Sequence, residues 1–413
     1  MKARAFAYQA LKKICLERVY SNLYLRKELH QVGEVDRALA TQIIYGTLQN
    51  ARCCRYQWEQ DVQKKVKDDI GILLDMSVYQ LLFMDVAPYA VLNDAVELAK
   101  KYHGQKVGNL VNALLRKVER RKFREYTGNA LQKLALQTSH PDWIVMMWNA
   151  QYGEEITEKI CWSNLEMKPQ AARVNTLRCT KEELLQDPLF IDVKEAKDAL
   201  LYTGGSLAAT SYYQEGKVVI QDVASQLVAE VLDPQPKERI LDVCAAPGTK
   251  TTHIAQLMND DGEIICGDIH EHRVALIQEG VKRLGLHSIH PKVMDATKLD
   301  GIEGTFDRVL CDVPCSGYGV LSRKSDIKYH MKSEDMDTLI PLQQEILCKA
   351  STFVKKEGYL VYATCTLNKK ENEKQIEKFL RTHPQFELVF ERTVFPYECN
   401  SDGFYMAKLK YIG

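Results

Sequence analysis

The 413-residue sequence lacks any apolar run of about 18 residues, the length that a membrane-spanning helix requires. Its N-terminus is basic, but no signal-peptide core follows, because Lys12, Lys13, Glu17 and Arg18 interrupt the apolar residues. The sequence also contains no internal repeat and no low-complexity segment. With 46% hydrophobic and 27% charged residues it is typical of a soluble globular protein, and we expect no membrane partner.

Regularly spaced cysteines are absent as well. The chain has 12 cysteines but no C-x-x-C motif, and Cys53 and Cys54 are adjacent. In a chain of this length, scattered cysteines indicate reduced thiols rather than a disulfide framework. We therefore expect a cytoplasmic protein with no structural zinc site and no other bound metal.

Two common phosphate-binding motifs are also missing. G-x-G-x-x-G does not occur, and the sequence around Gly248 and Lys250 lacks the earlier glycine of the G-x-x-x-x-G-K-[ST] loop. Residues 240–252, Ile-Leu-Asp-Val-Cys-Ala-Ala-Pro-Gly-Thr-Lys-Thr-Thr, instead predict a strand, a tight turn and the start of a helix. Such a turn allows close approach of the backbone to a ligand and directs helix N–H groups at anionic atoms.

The net charge of zero conceals an asymmetry along the chain. Residues 1–130 contain 22 Lys and Arg against 14 Asp and Glu, a net of +8, so the remainder has a net of −8. The segment 116–124 carries six of these cations, among them Arg120, Arg121 and Lys122. A basic helix end suits the helix dipole and needs no ligand. The excess of positive charge over residues 1–130 as a whole favours contact with a polyanion such as RNA.

The hydrophobic pattern predicts three domains. Residues 1–130 have helical periodicity throughout, which indicates an all-α domain. Residues 139–220 mix short helix and strand patterns, which indicates a small α+β module. Residues 221–413 alternate strand patterns with helix patterns, and the last helix pattern is at 371–382. This alternation predicts a doubly wound, mostly parallel α/β sheet.

Carboxylates follow two of the predicted strands. Asp268 ends one strand, where it can accept the hydroxyls of a ribose, and Asp295 ends the next, where it can reach an adenine amino group. Each aspartate alone is more often a turn residue or a helix cap. Successive strand ends that carry Asp or the glycine turn favour a nucleoside site at the carboxyl edge of the sheet.

Two cysteines follow two further strands, Cys315 in Asp-Val-Pro-Cys-Ser-Gly and Cys365 in Ala-Thr-Cys-Thr. Both thiols should lie just beyond the carboxyl ends of strands, where a lowered pKa would make a thiol nucleophilic. Cysteines are more commonly buried as small apolar residues, and the polar context here favours the functional interpretation. The residues alone do not decide which cysteine attacks a substrate.

Four segments together resemble the motif series of the Sun family of S-adenosylmethionine-dependent RNA cytosine-C5 methyltransferases. They are residues 242–250, 312–317, 363–366 with 371–373, and 402–407. The N-terminal domain, residues 1–130, resembles the helical RNA-binding domain of the NusB antitermination factor, notably at residues 36–41 and 45–48. The combination is similar to the RsmB-like 16S rRNA methyltransferases, and the resemblance extends over nearly the whole chain.

The resemblance implies a Rossmann-like class I methyltransferase fold that binds S-adenosyl-L-methionine and modifies 16S rRNA. It implies Cys365 as the nucleophile and Cys315 as the residue that assists product release. Asp312 can contact the cytosine ring, and Lys250 can orient Asp312 or lower a thiol pKa. The residues expected around the cofactor are Cys244, Ala245, Ala246, Pro247, Gly248, Thr249, Lys250, Asp268, Asp295 and Asp312.

The same resemblance places Arg173 and Asn175 in the stretch that the family uses near RNA, and we expect both to contact it. The substrate is either naked 16S rRNA or a partly assembled small subunit, and the expected state is a monomer. The sequence departs from the family at Thr249, where a second glycine is usual, and at Ser325, where proline is usual.

Two alternative functions remain compatible with the residues. One is a non-enzymatic RNA-binding or antitermination factor that keeps a vestigial methyltransferase fold. Its helical domain permits this, but a vestigial fold has no need of two cysteines at strand ends. The other is a methyltransferase for small molecules or proteins, which the cysteine pair disfavours because most such enzymes need no covalent adduct.

Overall fold

The computed structural model describes residues 1–330 and 332–413, which form two compact units. The first unit contains Met1–Glu166 and the segment 321–330, and the second contains Met167–Val320 and Lys332–Gly413. In the described ranges, no helix is long and apolar enough to cross a membrane.

The helices and strands are numbered in chain order. The helices are α1 (Ala3–Glu17), α2 (Ser21–Glu28), α3 (Glu34–Glu59), α4 (Asp68–Phe83), α5 (Pro88–His103), α6 (Gln105–Arg121), α7 (Ala130–Gln137), α8 (Asp142–Tyr152), α9 (Glu154–Ser163), α10 (Lys181–Leu184), α11 (Ser211–Gln214), α12 (Val223–Leu232), α13 (Thr249–Leu257), α14 (Glu271–Leu284), α15 (Ile327–His330), α16 (Met336–Ser351) and α17 (Glu373–Thr382). The strands are β1 (Gln170–Val174), β2 (Phe190–Asp192), β3 (Ala199–Tyr202), β4 (Val218–Ile220), β5 (Arg239–Asp242), β6 (Glu263–Asp268), β7 (Ile289–Val293), β8 (Phe306–Asp312), β9 (Val354–Thr364), β10 (Phe386–Val394) and β11 (Phe404–Tyr411).

The first unit is helical, as the periodicity of residues 1–130 predicts. Its core buries apolar side chains from α1, α3, α4, α5 and α6, including Phe6, Ile43 and Leu74. Gly104 ends α5 with φ of 85°, a backbone conformation that glycine adopts without strain. Helices α8 and α9 also belong to this unit, although the sequence pattern groups them with the small α+β module.

The segment 321–330 is part of the helical unit although it lies far along the chain. The Asp326 carboxylate accepts the Ser21 N–H at 3.0 Å, and this contact is buried. The His330 Nε2 atom lies 3.0 Å from the Ile14 carbonyl oxygen. This segment begins six residues after Cys315, so the peptide chain runs from the cysteine loop directly into the helical unit.

The second unit begins with a four-stranded antiparallel sheet of order β2-β3-β1-β4. A capping box begins α10, because the Thr180 side chain accepts the Glu183 N–H and the Glu183 side chain accepts the Thr180 N–H. This sheet confirms the α+β pattern that the sequence indicates after residue 170.

The rest of the second unit is built around a seven-stranded sheet of order β10-β11-β9-β8-β5-β6-β7. Strands β7, β6, β5, β8 and β9 are parallel, and β11 and β10 extend the sheet in antiparallel fashion. The predicted doubly wound, mostly parallel fold is therefore confirmed. Because β8 and β9 are parallel neighbours, with Asp312 opposite Ala363, the loops that follow them emerge side by side.

Candidate active site

The two cysteine loops meet at the carboxyl edge of the parallel sheet. Cys315 lies three residues beyond β8 and Cys365 immediately follows β9, and their Sγ atoms are 3.3 Å apart. Both side chains are partly exposed, whereas Cys311 within β8 is buried. The parallel pairing of the two strands therefore brings together two thiols that are 50 residues apart in the chain.

The cysteine pair gives the Cys315 thiol an unusual electrostatic setting. Its pKa is raised well above the ordinary value by the hydrogen bond with Cys365, by burial, and by the negative charges of Cys365 and Glu371. A thiol in this setting keeps its proton when its partner is ionised. The geometry thus suits one proton-bearing sulfur beside one nucleophilic sulfur.

Lys250 and Asp312 form an ion pair at the same edge. Nζ of Lys250 donates to Oδ2 of Asp312 at 2.7 Å, and the ammonium group also lies 5.0 Å from the ring centroid of Phe404. Burial acts to lower the Lys250 pKa, but the Asp312 carboxylate outweighs it, with a further contribution from Cys365, so the pKa is raised. Lys250 therefore remains an ammonium ion close to both the carboxylate and the thiol.

The turn between β5 and α13 has the predicted form. The Gly248 N–H donates to the Ala245 carbonyl at 2.7 Å, and Gly248 has φ of 98°. A side chain there would also crowd Ile277, whose Cγ2 would lie 3.1 Å from the added Cβ. Thr249 is the first residue of α13, so the substituted position of the motif is an ordinary helical one.

Asp268 ends β6 and is almost fully buried at 5% exposure. Its Oδ2 pairs with Nη1 of Arg273 at 2.7 Å, and its Oδ1 accepts the His270 N–H at 3.1 Å. Arg273 also donates to the carbonyl of Ala246 at 3.1 Å. Arg273 is not among the predicted site residues, although its position five residues after Asp268, in the first turns of the next helix, is a signal for such a link.

Asp295 lies two residues beyond β7 and is bound within its own turn. Its Oδ1 accepts the N–H of Thr297 at 3.0 Å and the hydroxyl of Thr297 at 2.7 Å. Its Oδ2 lies 3.3 Å from Nζ of Lys298. The pKa of Asp295 is lowered chiefly by the Thr297 hydroxyl. These contacts are those of a turn residue, and its predicted role toward adenine stays a prediction.

The structure places Arg173 and Asn175 in the interior rather than on a surface. Arg173 is fully buried, and its guanidinium donates to Gln221, to Gln256, to Thr252 and to the Thr249 carbonyl. Asn175 is 2% exposed and donates to the Gly216 carbonyl. This burial argues against direct RNA contact by either residue. Arg173 instead links β1 to the start of α13, which carries Lys250.

The basic end of α6 is accessible in part. Arg120 and Lys122 are exposed, whereas Arg121 is half-buried and pairs with Asp61 at 2.9 Å. Arg121 thus has a structural role within the helical unit. Arg120 and Lys122 remain available for a polyanion.

The sheet order, the turn after β5 and the residues at the carboxyl edge are those of an α/β methyltransferase, with a pair of cysteines where β8 and β9 end. Residues 229–410 match the family described as 16S rRNA methyltransferase RsmB/F, and the chain belongs to this family. Residues 1–120 match the NusB family, and residues 140–187 match the ferredoxin-like domain of RsmF/B-like methyltransferases.

Relatives and a solved structure match over nearly the full length. The chain is 38% identical to the protein named "Probable ribosomal RNA small subunit methyltransferase B" of Bacillus subtilis (strain 168), over 99% of each chain. It is 30% identical to ribosomal RNA small subunit methyltransferase B of Proteus mirabilis (strain HI4320), over 98% of this chain and 97% of that one. The crystal structure of PH0851 covers 99% of both chains with a TM-score of 0.83 and 26% identity. The family predicted from the motifs is confirmed.

Proposed function

We propose that this protein transfers a methyl group from S-adenosyl-L-methionine to carbon C5 of a cytosine in 16S rRNA through a covalent cysteine adduct. The observation that carries the proposal is the 3.3 Å contact between Cys315 and Cys365, beside the Lys250–Asp312 ion pair. A methyltransferase that alkylates oxygen or nitrogen needs no such pair of thiols. A ring carbon that is a poor nucleophile, by contrast, needs a thiolate that adds to the ring before the carbon can be methylated.

The nucleophile in this proposal is Cys365. Its thiolate adds to C6 of cytosine, which raises the electron density at C5 and makes C5 able to accept the methyl group. A base then removes the C5 proton, and the C6–S bond breaks to restore the ring and the thiolate. Sulfur suits both ends of this cycle because a thiolate is a strong nucleophile and also an adequate leaving group. Serine would fail at both.

Cys315 and the ion pair serve the same cycle. The raised pKa of Cys315 supports its assignment as the neutral thiol that assists release of the product. Asp312 is placed to accept hydrogen bonds from the cytosine edge and to stabilise charge as C6 is attacked. The Lys250 ammonium donates to Asp312 at 2.7 Å and so fixes the position of its carboxylate.

The residues around the turn fit S-adenosyl-L-methionine. Asp268 offers a carboxylate at a strand end, and Oδ1 of the buried Asp242 makes no hydrogen bond among the described residues, which leaves an acceptor for a donor of the ligand. Residues 244–250 and the N-terminus of α13 would hold its charged tail. When bound there, S-adenosyl-L-methionine supplies an electrophilic methyl group.

In this proposal the helical unit binds the RNA. The target cytosine must leave its stack, which costs a few kcal/mol and is easiest in a single-stranded or bulged region. Exposed cations such as Arg120 and Lys122 would hold the surrounding phosphates.

The test uses the full-length protein, 16S rRNA and S-adenosyl-L-methionine labelled on its methyl group, with nucleoside mass spectrometry to detect 5-methylcytosine. We expect Cys365→Ala to abolish product while its calorimetric affinity for S-adenosyl-L-methionine is kept. Cys399→Ser, at a partly exposed thiol in the same unit, is the matched control and should retain activity. Turnover by Cys365→Ala would move the nucleophile elsewhere. Failure of the wild type to bind S-adenosyl-L-methionine would favour a non-enzymatic RNA-binding factor.

A further inference from the structure

Glu371 is a fully buried acid between β9 and α17, and its carboxylate oxygens are occupied by neutral donors. Oε1 accepts the Ser316 N–H at 2.9 Å and Nε2 of Gln343 at 3.0 Å. Oε2 accepts the Ser316 hydroxyl at 2.6 Å and Nδ2 of Asn368 at 3.0 Å. Gln343 also donates to the carbonyl of Pro314 at 3.0 Å, so this network holds residues on both sides of Cys315.

The same network joins the two cysteine loops to each other. Ser316 directly follows Cys315, and Thr366 directly follows Cys365. The hydroxyl oxygens of Ser316 and Thr366 are 2.6 Å apart, and Thr366 lies 3.5 Å from Oε2 of Glu371. Since the residue after each cysteine is tied to this cluster, a shift of Glu371 would change the distance between the sulfur atoms.

Backbone contacts complete the connection between the loops. The Gly319 N–H donates to the carbonyl of Cys365 at 3.1 Å, and the Gly403 N–H donates to the carbonyl of Gly319 at 2.7 Å. A Cβ atom at Gly319 would lie 1.9 Å from the Gly403 oxygen, so only glycine fits this crossing. The two loops and the Asp402–Gly403 segment are therefore packed backbone to backbone around the cysteines.

A buried carboxylate is stable only when its oxygens are fully hydrogen-bonded. The donors that contact Glu371 are uncharged, so they satisfy its oxygens without forming an ion pair. The Glu371 carboxylate lies close enough to Cys315 to raise the pKa of its thiol, in addition to the larger effects of Cys365 and burial. The position of Glu371 thus affects both the geometry and the protonation of the pair.

We propose that Glu371 is a positioning residue whose carboxylate ties the Cys315 loop to the Cys365 loop and so sets the distance between the two sulfur atoms. The proposal rests on the proposed function for the separate roles of the two cysteines. Glu371 reaches neither sulfur through a bond of its own. It acts through Ser316, Thr366 and Gln343.

The first test compares Glu371→Gln with the wild type in the full-length protein. The amide keeps the size of the side chain, but its NH2 group cannot accept the hydrogen bonds made to the oxygen that it replaces. We expect kcat to fall about tenfold or more, the effect of one or two missing buried hydrogen bonds, with KM for 16S rRNA and the affinity for S-adenosyl-L-methionine changed less than about twofold. Glu377→Gln, at an exposed acid on α17, is the control and should match the wild type.

The second test does not depend on methyl transfer, so it separates failure of this inference from failure of the proposed function. Alkylation of Cys315 by iodoacetamide is followed against pH by peptide mass spectrometry in a Cys365→Ala background. Removing the Glu371 charge should favour the Cys315 thiolate, so the Glu371→Gln double variant should react faster at a fixed pH, with its alkylation curve shifted to lower pH.

Ser316→Ala keeps the test decisive if Glu371→Gln does not fold. This variant lacks the hydroxyl that contacts both Glu371 and Thr366, and kcat should again fall with KM preserved. Wild-type kcat in a folded Glu371→Gln variant, or in Ser316→Ala, would overturn the proposal. An unchanged alkylation curve for Cys315 would overturn the role of the charge.

Discussion

The sulfur atoms of Cys315 and Cys365 lie 3.3 Å apart, close to van der Waals contact. Two thiols at this separation need little movement to form a disulfide. With hydrogen peroxide as oxidant, each thiol would lose one proton and one electron, and the peroxide would be reduced to two molecules of water. We expect peroxide to join Cys315 to Cys365 and abolish methyl transfer, because no thiolate is then available.

Peptide mapping and an activity assay check this expectation, and dithiothreitol should restore activity. Cys399→Ser should lose activity at the wild-type rate, since its thiol takes no part in the pair. Inactivation by peroxide without a peptide that contains the Cys315–Cys365 disulfide would contradict the prediction.

Replacement of Cys315 should trap the covalent intermediate. If Cys315 assists release of the product, Cys315→Ala leaves Cys365 able to attack C6 but slow to leave it. The expected result is a protein–RNA adduct that migrates as a shifted band in a denaturing gel. The double variant Cys315→Ala with Cys365→Ala provides the control and should show no such band. An adduct that persists in the double variant would assign attack to another residue.

The ion pair of Lys250 and Asp312 should behave as one unit. Removing either partner leaves the other charge poorly compensated. When one partner of a buried ion pair is removed, the free energy of unfolding typically falls by about 3–5 kcal/mol. We expect Lys250→Met and Asp312→Asn each to lower kcat/KM by about a hundredfold or more. The fold-loss in kcat/KM of the double variant should be much smaller than the product of the two single fold-losses. Steady-state methyl transfer measures the three values. Multiplicative losses would show that the two residues act independently.

Much of the fold follows from local sequence patterns, and the part that was missed has a physical reason. Strand β10 was not predicted because its Leu388, Val389 and Phe390 are all exposed, so the strand lacks the alternation of buried and exposed residues. A register shift between Leu388 and Phe390 interrupts the pattern further. The sequence pattern predicts that α16 begins at Pro341, because proline is common in a first helical turn, but the helix begins at Met336 and Pro341 lies inside it.

The site was predictable where a single strand end decides the position of a residue. Asp268, Asp312 and Cys365 each end or follow a buried strand, and parallel pairing brings such positions to one edge. Burial of Arg173 was not predictable, because the groups that bind its guanidinium lie 48 to 83 residues away in the chain. Only the folded arrangement shows that this arginine supports the turn between β5 and α13.

The exposed basic end of α6 should contribute to RNA affinity by binding phosphates. The double variant Arg120→Ala with Lys122→Ala removes two exposed cations and leaves the Arg121–Asp61 pair intact. We expect weaker binding of 16S rRNA and a slope of log affinity against log salt that is smaller by about 1 for each phosphate that is no longer neutralised. Lys356→Ala with Lys378→Ala removes two exposed cations from the second unit and is the charge-matched control. Equal slopes for the two double variants would exclude the α6 surface from RNA binding.

Lys328 should make the stability of the helical unit depend on pH. Burial lowers its pKa to about 7, and its ammonium group is 3.4 Å from the Gln49 carbonyl. An unfolded lysine titrates near 10.5, so between pH 7 and 10.5 the unfolded chain binds a proton that the folded chain has released. Below pH 7 the folded unit contains a buried charge, and rising pH relieves this cost.

We therefore expect Lys328→Met to be more stable than the wild type at pH 7. The difference should shrink by up to about 1.4 kcal/mol for each pH unit toward pH 9, since methionine fills similar space without a charge. All 4 tryptophans, Trp58, Trp143, Trp148 and Trp162, lie in the helical unit, so fluorescence during urea unfolding reports on this unit alone. A stability difference that stays constant from pH 6 to pH 9 would mean that Lys328 remains charged throughout and that its burial is compensated by other groups.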